Sequence, residues 1–156
     1  MGSYGATISW TSDGNFASGK YSRAHRWSFD GGAEVAGSSS PSVVPLPMSD
    51  AAAVDPEEAL IAATSSCHML WFLALAQKAG LDVTSYRDEA SGIMGKDERG
   101  RIAIMKITLR PQIEFAGREP DEQELDALHH EAHQKCFIAN SLRSEIVVEP
   151  VATPGS

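Results

Sequence analysis

The chain has 156 residues, of which 42% are apolar and 22% are charged, and it carries a formal net charge of −8. This composition excludes a disordered chain, a fibre and a disulfide-rich mini-protein, and the length fits one domain over residues 1–156. The acidic balance gives no support for a nucleic-acid or anionic-membrane partner. Because we find neither a secretory signal nor an apolar run of about eighteen residues, we expect a cytoplasmic protein with no membrane partner.

Residues 4–55 form the first predicted section, in which short strands are joined by turns. Strands are predicted over residues 6–10, 25–29 and 33–36, because these runs of β-forming side chains are bounded by residues that favour turns. Residues 37–50 are rich in Ser and Pro and predict a loop with a candidate functional role.

The clearest element is a long helix over residues 56–79. Asp55 is placed to cap its start, Pro56 suits the first helical position, and Gly80 is placed to end it. The middle of this helix is apolar nearly all round, which is typical of a helix that is buried on most sides. We therefore expect it to be the central helix of the fold or of a dimer.

The next section, residues 81–116, is predicted to be one β-hairpin. Its arms, residues 83–96 and 101–115, flank the turn-forming residues 97–100. The second arm alternates between two sets of side chains, which is typical of a half-buried strand.

A second helix is predicted over residues 121–143, followed by a last strand over residues 145–151. Asp121 and Glu124 resemble a capping box at the start of this helix. One helix face is apolar at steps of three and four residues: Leu125, Leu128, Ala132, Cys136, Ala139 and Leu142. The order of the elements predicts an α+β fold with helices packed on a mostly antiparallel sheet.

The two cysteines lie on the apolar parts of the two predicted helices, Cys67 on the first and Cys136 on the second. Most buried cysteines are inert, and the spacing of this pair fits no common zinc motif. If the two helix faces pack together, however, the sulfurs come within disulfide reach and form a redox pair. A reactive thiolate also needs a nearby positive charge or hydrogen-bond donors, for which Arg23, His25 and Arg26, clustered near the start of a predicted strand, are candidates.

Two segments around these cysteines resemble the signatures of the OsmC/Ohr family. Residues 55–67 contain a Pro-Glu pair, a helix of small residues, and a cysteine ten positions after Glu57. Residues 132–142 surround Cys136 and are followed by a strand. Both motifs occur at the right separation, and the resemblance covers nearly the whole chain.

The resemblance implies an OsmC/Ohr-like fold, in which mostly antiparallel sheets pack on two long central helices of an intertwined homodimer. It further implies a thiol peroxidase that reduces organic hydroperoxides with no metal or other cofactor, and whose disulfide is reset by a dithiol reductant such as a lipoyl protein. Cys67 would be the peroxidatic thiol and Cys136 the resolving one. Glu57 matches the glutamate that holds an active-site arginine, which Arg23 matches best and Arg26 second.

Helix geometry adds a constraint on this site. Ten residues of continuous helix place Glu57 about 15 Å from Cys67, too far for one site within one chain. Either the helix breaks between them, or Glu57 serves the Cys67 of a partner subunit. The dimer of the family favours the second option, so we expect composite sites across the interface.

Four apolar side chains near the cysteines are candidates for the substrate-binding surface: Met69, Trp71, Phe72 and Phe137. Packing in the core is the alternative interpretation for each of them.

Two alternatives compete with a peroxidase. His129 and His133 lie one helical turn apart, a spacing that suits zinc, although no third ligand is evident. The chain is alternatively a non-catalytic, stress-linked dimeric protein that binds an apolar ligand, with inert cysteines.

Overall fold

The computed structural model describes residues 1–153, which form two compact units divided after Ala59. The strands are β1 Ala6–Ser9, β2 His25–Phe29, β3 Glu34–Gly37, β4 Asp82–Asp88, β5 Ser91–Lys96, β6 Ile102–Leu109, β7 Pro111–Ala116 and β8 Glu145–Val148. The helices are α1 Pro56–Lys78, α2 Glu122–Lys135 and α3 Phe137–Ser141, and a 3-10 turn covers Phe16–Ser18.

The first unit, residues 1–59, contains an antiparallel sheet in the order β1-β2-β3. Trp27 on β2 lies opposite Ile8 on β1 and Val35 on β3. After β3, the predicted loop runs to α1. Its end is hydrogen-bonded to β3, because Val54 N–H donates to the carbonyl of Ala36. None of the apolar side chains of residues 1–59 is buried. The unit therefore has no apolar core of its own.

Helix α1 begins and ends where its capping signals predict. The Asp55 carboxylate accepts a hydrogen bond from Glu58 N–H at 2.8 Å, as expected of an N-cap. At the other end Gly80 adopts a left-handed φ of +79°, and Leu81 N–H closes the helix on the carbonyl of Ala76. The helix is unbroken from Pro56 to Lys78.

Burial along α1 differs from the sequence-based expectation. Its buried residues form one stripe at steps of four: Thr64, His68, Phe72 and Ala76. Other apolar residues stay partly or largely exposed, with Leu70 at 61%. A single chain therefore does not bury this helix on most sides. By length and composition alone α1 would also be able to cross a membrane, a test that core helices of water-soluble proteins pass as well.

The predicted hairpin forms, but it is divided between two sheets. Strands β4 and β7 pair antiparallel in one sheet, and β5 and β6 do so in the other, around the predicted turn. At the division the Asp88 carboxylate accepts hydrogen bonds from the Ser65 hydroxyl and from Arg110 N–H. Strand β8 adds to β6 in parallel, so the sheets are mostly antiparallel, as predicted, with one parallel pair.

The second predicted helix is shorter than expected and is divided at Cys136. Its start is as predicted, since the Asp121 carboxylate accepts from Glu124 N–H at 2.7 Å. Cys136, however, is extended (φ −66°, ψ 111°), so α2 ends at Lys135 and the short α3 follows. Two side-chain hydrogen bonds replace those of a continuous helix. Ala139 N–H donates to Cys136 Sγ at 3.4 Å, and Asn140 Nδ2 donates to the carbonyl of Gln134 at 3.0 Å.

The apolar core of the second unit lies between α1, α2 and the β4-β7 sheet. Its buried members are Phe72, Ala76, Leu81, Ile113, Leu128 and Ala132. Helices on mostly antiparallel sheets confirm the predicted α+β class.

Candidate active site

The structure brings Cys67 and Cys136 together. Cys67 lies half-buried in the middle of α1, and Cys136 lies at the junction of α2 and α3 with 1% of its surface exposed. Both are free thiols. Burial raises the pKa of Cys136 to about 11, and a hydrogen bond with the Cys67 thiol contributes to that rise. The site thus contains two contacting thiols, of which the more buried one stays protonated at neutral pH.

An open apolar pocket lies directly beside Cys67. It has a volume of about 320 Å³ and is lined by Cys67, Leu70, Trp71, Ala74 and Phe137. The rings of Trp71 and Phe137 meet edge to face, with centroids 5.5 Å apart. Such a pocket suits an apolar ligand group held next to the Cys67 sulfur.

Two of the four predicted substrate-binding side chains line this pocket. Trp71 and Phe137 are in its wall, whereas Phe72 is fully buried in the core, where its ring stacks on His129 with centroids 4.4 Å apart. Met69 is half-buried and is not among the lining residues.

Leu70 and Ala74, which the sequence analysis missed, complete the lining. Residues at steps of three, four and seven from Cys67 share its helix face, so the helical period contained the signal. The same period excludes Phe72, which lies five positions from Cys67 and therefore faces another direction.

Arg23 lies in the loop before β2 and is held by several contacts. Its backbone N–H donates to the carbonyl of Met48 at 2.8 Å, and its guanidinium donates to the carbonyl of Tyr21. The guanidinium carbon also lies 3.5 Å from the centre of the Tyr21 ring. Arg26, the second candidate, is an exposed β2 residue that lies 3.6 Å from the carboxylate of Glu34.

Glu57 lies half-buried in the first turn of α1. Among residues 1–153 of the single chain, no ion pair joins Glu57 to Arg23, so the predicted grip on the guanidinium is not formed there. Because α1 is unbroken, the option of a helix break between Glu57 and Cys67 is excluded.

A buried pair of histidines lies between α1 and α2. His68 Nε2 and His129 Nδ1 are 3.0 Å apart, and the two residues are 1% and 4% exposed. Burial lowers the pKa of His68 to about 4, helped by the charge of His133, and it lowers the pKa of His129 to about 3. Both histidines are therefore neutral at physiological pH, and the N–H of one ring donates a hydrogen bond to the unprotonated nitrogen of the other.

The zinc alternative gains no support from these histidines. The Nδ1 atom of His129 is engaged in the hydrogen bond with His68, so it is not free to bind a zinc ion together with His133. In the part of the chain that the structure describes, no group of three or more His, Cys, Asp or Glu residues is arranged to hold a metal ion.

Comparisons with known proteins agree with the fold and with this arrangement of elements. A family model described as OsmC-like protein matches residues 49–151. An OsmC-like protein of unknown function from Vibrio cholerae is 48% identical, with 97% of this chain and 100% of that chain covered and a TM-score of 0.95. A search of curated proteins found no match.

More distant solved structures share the fold alone. An organic hydroperoxide resistance protein from Elizabethkingia anophelis is 19% identical, covering 98% of this chain and 96% of that chain, with a TM-score of 0.70. An OsmC-like protein from Mycoplasma pneumoniae is 14% identical, covering 97% and 98%, with a TM-score of 0.73.

Proposed function

The chain belongs to the OsmC-like protein family, and from that premise we propose that it is a thiol peroxidase that reduces organic hydroperoxides to alcohols. The observation that carries the proposal is a contacting pair of free thiols, one of which borders an apolar pocket. A protein that merely binds an apolar ligand needs the pocket but not the second thiol.

The two thiols differ in a way that suits a division of roles. Cys67 borders the pocket and meets the substrate, whereas Cys136 is buried and its raised pKa keeps it protonated. Because Cys67 lines the pocket and Cys136 does not, Cys67 attacks the peroxide and Cys136 acts afterwards.

The proposed reaction proceeds in three steps. Thiolate Cys67 attacks the distal oxygen of the hydroperoxide, the O–O bond breaks, and the alkoxide leaves as the alcohol after taking up a proton. Cys67 is then a sulfenic acid. Cys136 attacks its sulfur, giving a Cys67–Cys136 disulfide and water. A dithiol, such as a lipoyl group, reduces the disulfide and is itself oxidised.

Leu70, Trp71 and Phe137 hold the organic group of the substrate next to Cys67 in this scheme. Arg23 favours the thiolate and orients the peroxide, and Glu57 fixes the guanidinium by paired hydrogen bonds. We propose that a partner subunit supplies these two residues, so the complete site requires a homodimer. We further propose that this homodimer acts in the cytoplasm.

Thiol counting tests the proposal directly. We expect reduced protein to lose both free thiols after one equivalent of cumene hydroperoxide, with the release of one equivalent of alcohol. Cys67→Ser abolishes peroxide consumption. Cys136→Ser allows one turnover and accumulates a sulfenic acid that dimedone traps. Ser66→Ala, a change at an exposed neighbour, is the matched control and keeps the activity.

Two outcomes would contradict the peroxidase. One is full peroxide consumption by Cys67→Ser, and the other is retention of both thiols by the unmodified protein. The second result would favour the apolar-ligand binder. A panel of alkyl and lipid hydroperoxides, assayed with lipoyl and thioredoxin reductants, then identifies the substrate and the reductant.

A further inference from the structure

We propose that His25 is a positioning residue that, together with Trp27, holds Arg23 in its working place. The inference rests on the proposed function, in which Arg23 serves the peroxidatic thiol. His25 and Trp27 are alternate residues of β2, so their side chains lie on the same face of the sheet. Arg26, between them, points to the opposite face.

The hydrogen bonds of this pair determine which nitrogen of His25 carries the proton. The indole nitrogen of Trp27 is only a donor, and it lies 2.8 Å from His25 Nε2. Nε2 must therefore be the unprotonated acceptor. The ring proton is then on Nδ1, which lies 2.7 Å from the carbonyl oxygen of Arg23 and donates to it.

The backbone of Arg23 is thereby held from both sides. Its carbonyl accepts from His25 Nδ1–H, and its N–H donates to the carbonyl of Met48 at 2.8 Å. Two fixed backbone bonds reduce the directions in which the guanidinium can point. Tyr21 restricts it further, through its carbonyl and its ring. Such preorganisation is what positions a catalytic group before the substrate arrives.

Gly37 shows that the pair is held in close packing. It is buried and lies opposite His25 in the β2–β3 register. A Cβ at this position would lie 2.5 Å from the Trp27 indole nitrogen and 2.6 Å from His25 Nε2. Only glycine leaves room for the hydrogen bond between the two rings, so this bond depends on a third residue as well.

The test compares two variants that place an amide donor at different points. In His25→Asn the side-chain amide nitrogen reaches the position of Nδ1 and can still donate to the carbonyl of Arg23. In His25→Gln the amide group reaches the position of Nε2 instead, so the hydrogen bond to the Arg23 carbonyl is lost. We expect His25→Gln to lower kcat/KM for cumene hydroperoxide roughly ten- to hundredfold, since small displacements of catalytic groups have effects of this size. His25→Asn should stay within about threefold of the unmodified protein. His130→Gln, at an exposed histidine of α2, is the control.

A double-mutant cycle with Arg23→Ala separates positioning from general destabilisation. If His25 acts through Arg23, His25→Gln has no further effect on kcat/KM in the Arg23→Ala background. Circular dichroism and thermal unfolding confirm that each variant is folded. Should His25→Gln misfold, Trp27→Phe removes the indole donor while keeping an aromatic ring, and the same cycle with Arg23→Ala applies to it.

Three results would overturn the inference: equal activity of the Asn and Gln variants, additive effects in the cycle, or full activity of Arg23→Ala. The failure of the proposed function is a different result, namely peroxide consumption that survives Cys67→Ser. If consumption requires Cys67 but not Arg23, the peroxidase stands and only the positioning role falls.

Discussion

At the scale of single residues, the buried histidine pair carries an energetic cost. His68 and His129 share one hydrogen bond, and His68 Nδ1 and His129 Nε2 have no hydrogen-bond partner among the described residues. Burying an unsatisfied polar group costs on the order of 1–3 kcal/mol. The pair therefore contributes a fixed orientation of α1 against α2 more than it contributes net stability.

The lowered pKa values of the pair predict that acid destabilises the protein. The unfolded chain binds protons at these histidines near pH 6.5, whereas the folded chain does so only near pH 4 and pH 3. Between these values the unfolded state holds more protons, so stability falls as the pH falls. The slope is at most about 1.4 kcal/mol per pH unit for each histidine.

Urea unfolding between pH 7.5 and pH 4 measures this effect. The double variant His68→Leu/His129→Leu should lose stability less steeply over the same range, because the contribution of these two buried histidines is then removed. His130→Gln should keep the steep dependence, since that histidine is exposed. Parallel pH profiles for the unmodified protein and the double variant would show that the histidines are not the cause.

At the scale of elements, Cys136 has a structural task besides its proposed chemistry. It ends α2 and caps α3, with Sγ accepting from Ala139 N–H. The break turns the chain at this point, and it places Phe137 in the wall of the pocket.

The capping role predicts unequal effects of two substitutions that both remove the thiol. Serine is a good N-cap and alanine is a poor one, so Cys136→Ser should be more stable than Cys136→Ala by about 1 kcal/mol. Thermal and urea unfolding of the reduced proteins measure the difference. Equal stabilities would show that the cap contributes nothing to stability. Neither variant should form the disulfide, because both lack the Cys136 thiol.

At the scale of the whole molecule, two features leave apolar surface uncovered in a single chain. The first unit buries no apolar side chain, and α1 buries only one stripe. Leu70 and Phe137, at 61% and 68% exposure, stand beside the pocket. Exposed apolar surface of this kind is typical of an interface.

We therefore expect the protein to be a stable homodimer in buffer without detergent. Light scattering coupled to gel filtration should give twice the mass of the chain. The urea midpoint should rise with protein concentration, because folding and association are linked in an obligate dimer. A monomer whose urea midpoint is independent of concentration would contradict the proposed site shared by two subunits. Recovery of the protein in a membrane fraction would instead indicate that the apolar face of α1 contacts lipid.

The sequence by itself determined the order of the elements, the ends of α1 and the start of α2. Those features depend on local chemistry: Asp55 and Asp121 cap the backbone of the next turn, and Gly80 adopts a left-handed φ. The sequence also singled out Cys67 and Cys136 as a candidate redox pair, although Cys136 lies at the break between α2 and α3 and not within a helix. The family resemblance then gave these cysteines their proposed roles.

Only the tertiary structure decided which neighbours each side chain meets. It divided the second helix at Cys136, sent Phe72 to the core while Trp71 lined the pocket, and paired His68 with His129. Residues far apart in the chain meet at the pocket, beside Phe72 and at the histidine pair, whereas side-chain hydrogen bonds compete with the helix at Cys136. Local propensity carries no information about such partners, because their positions depend on how the whole unit folds.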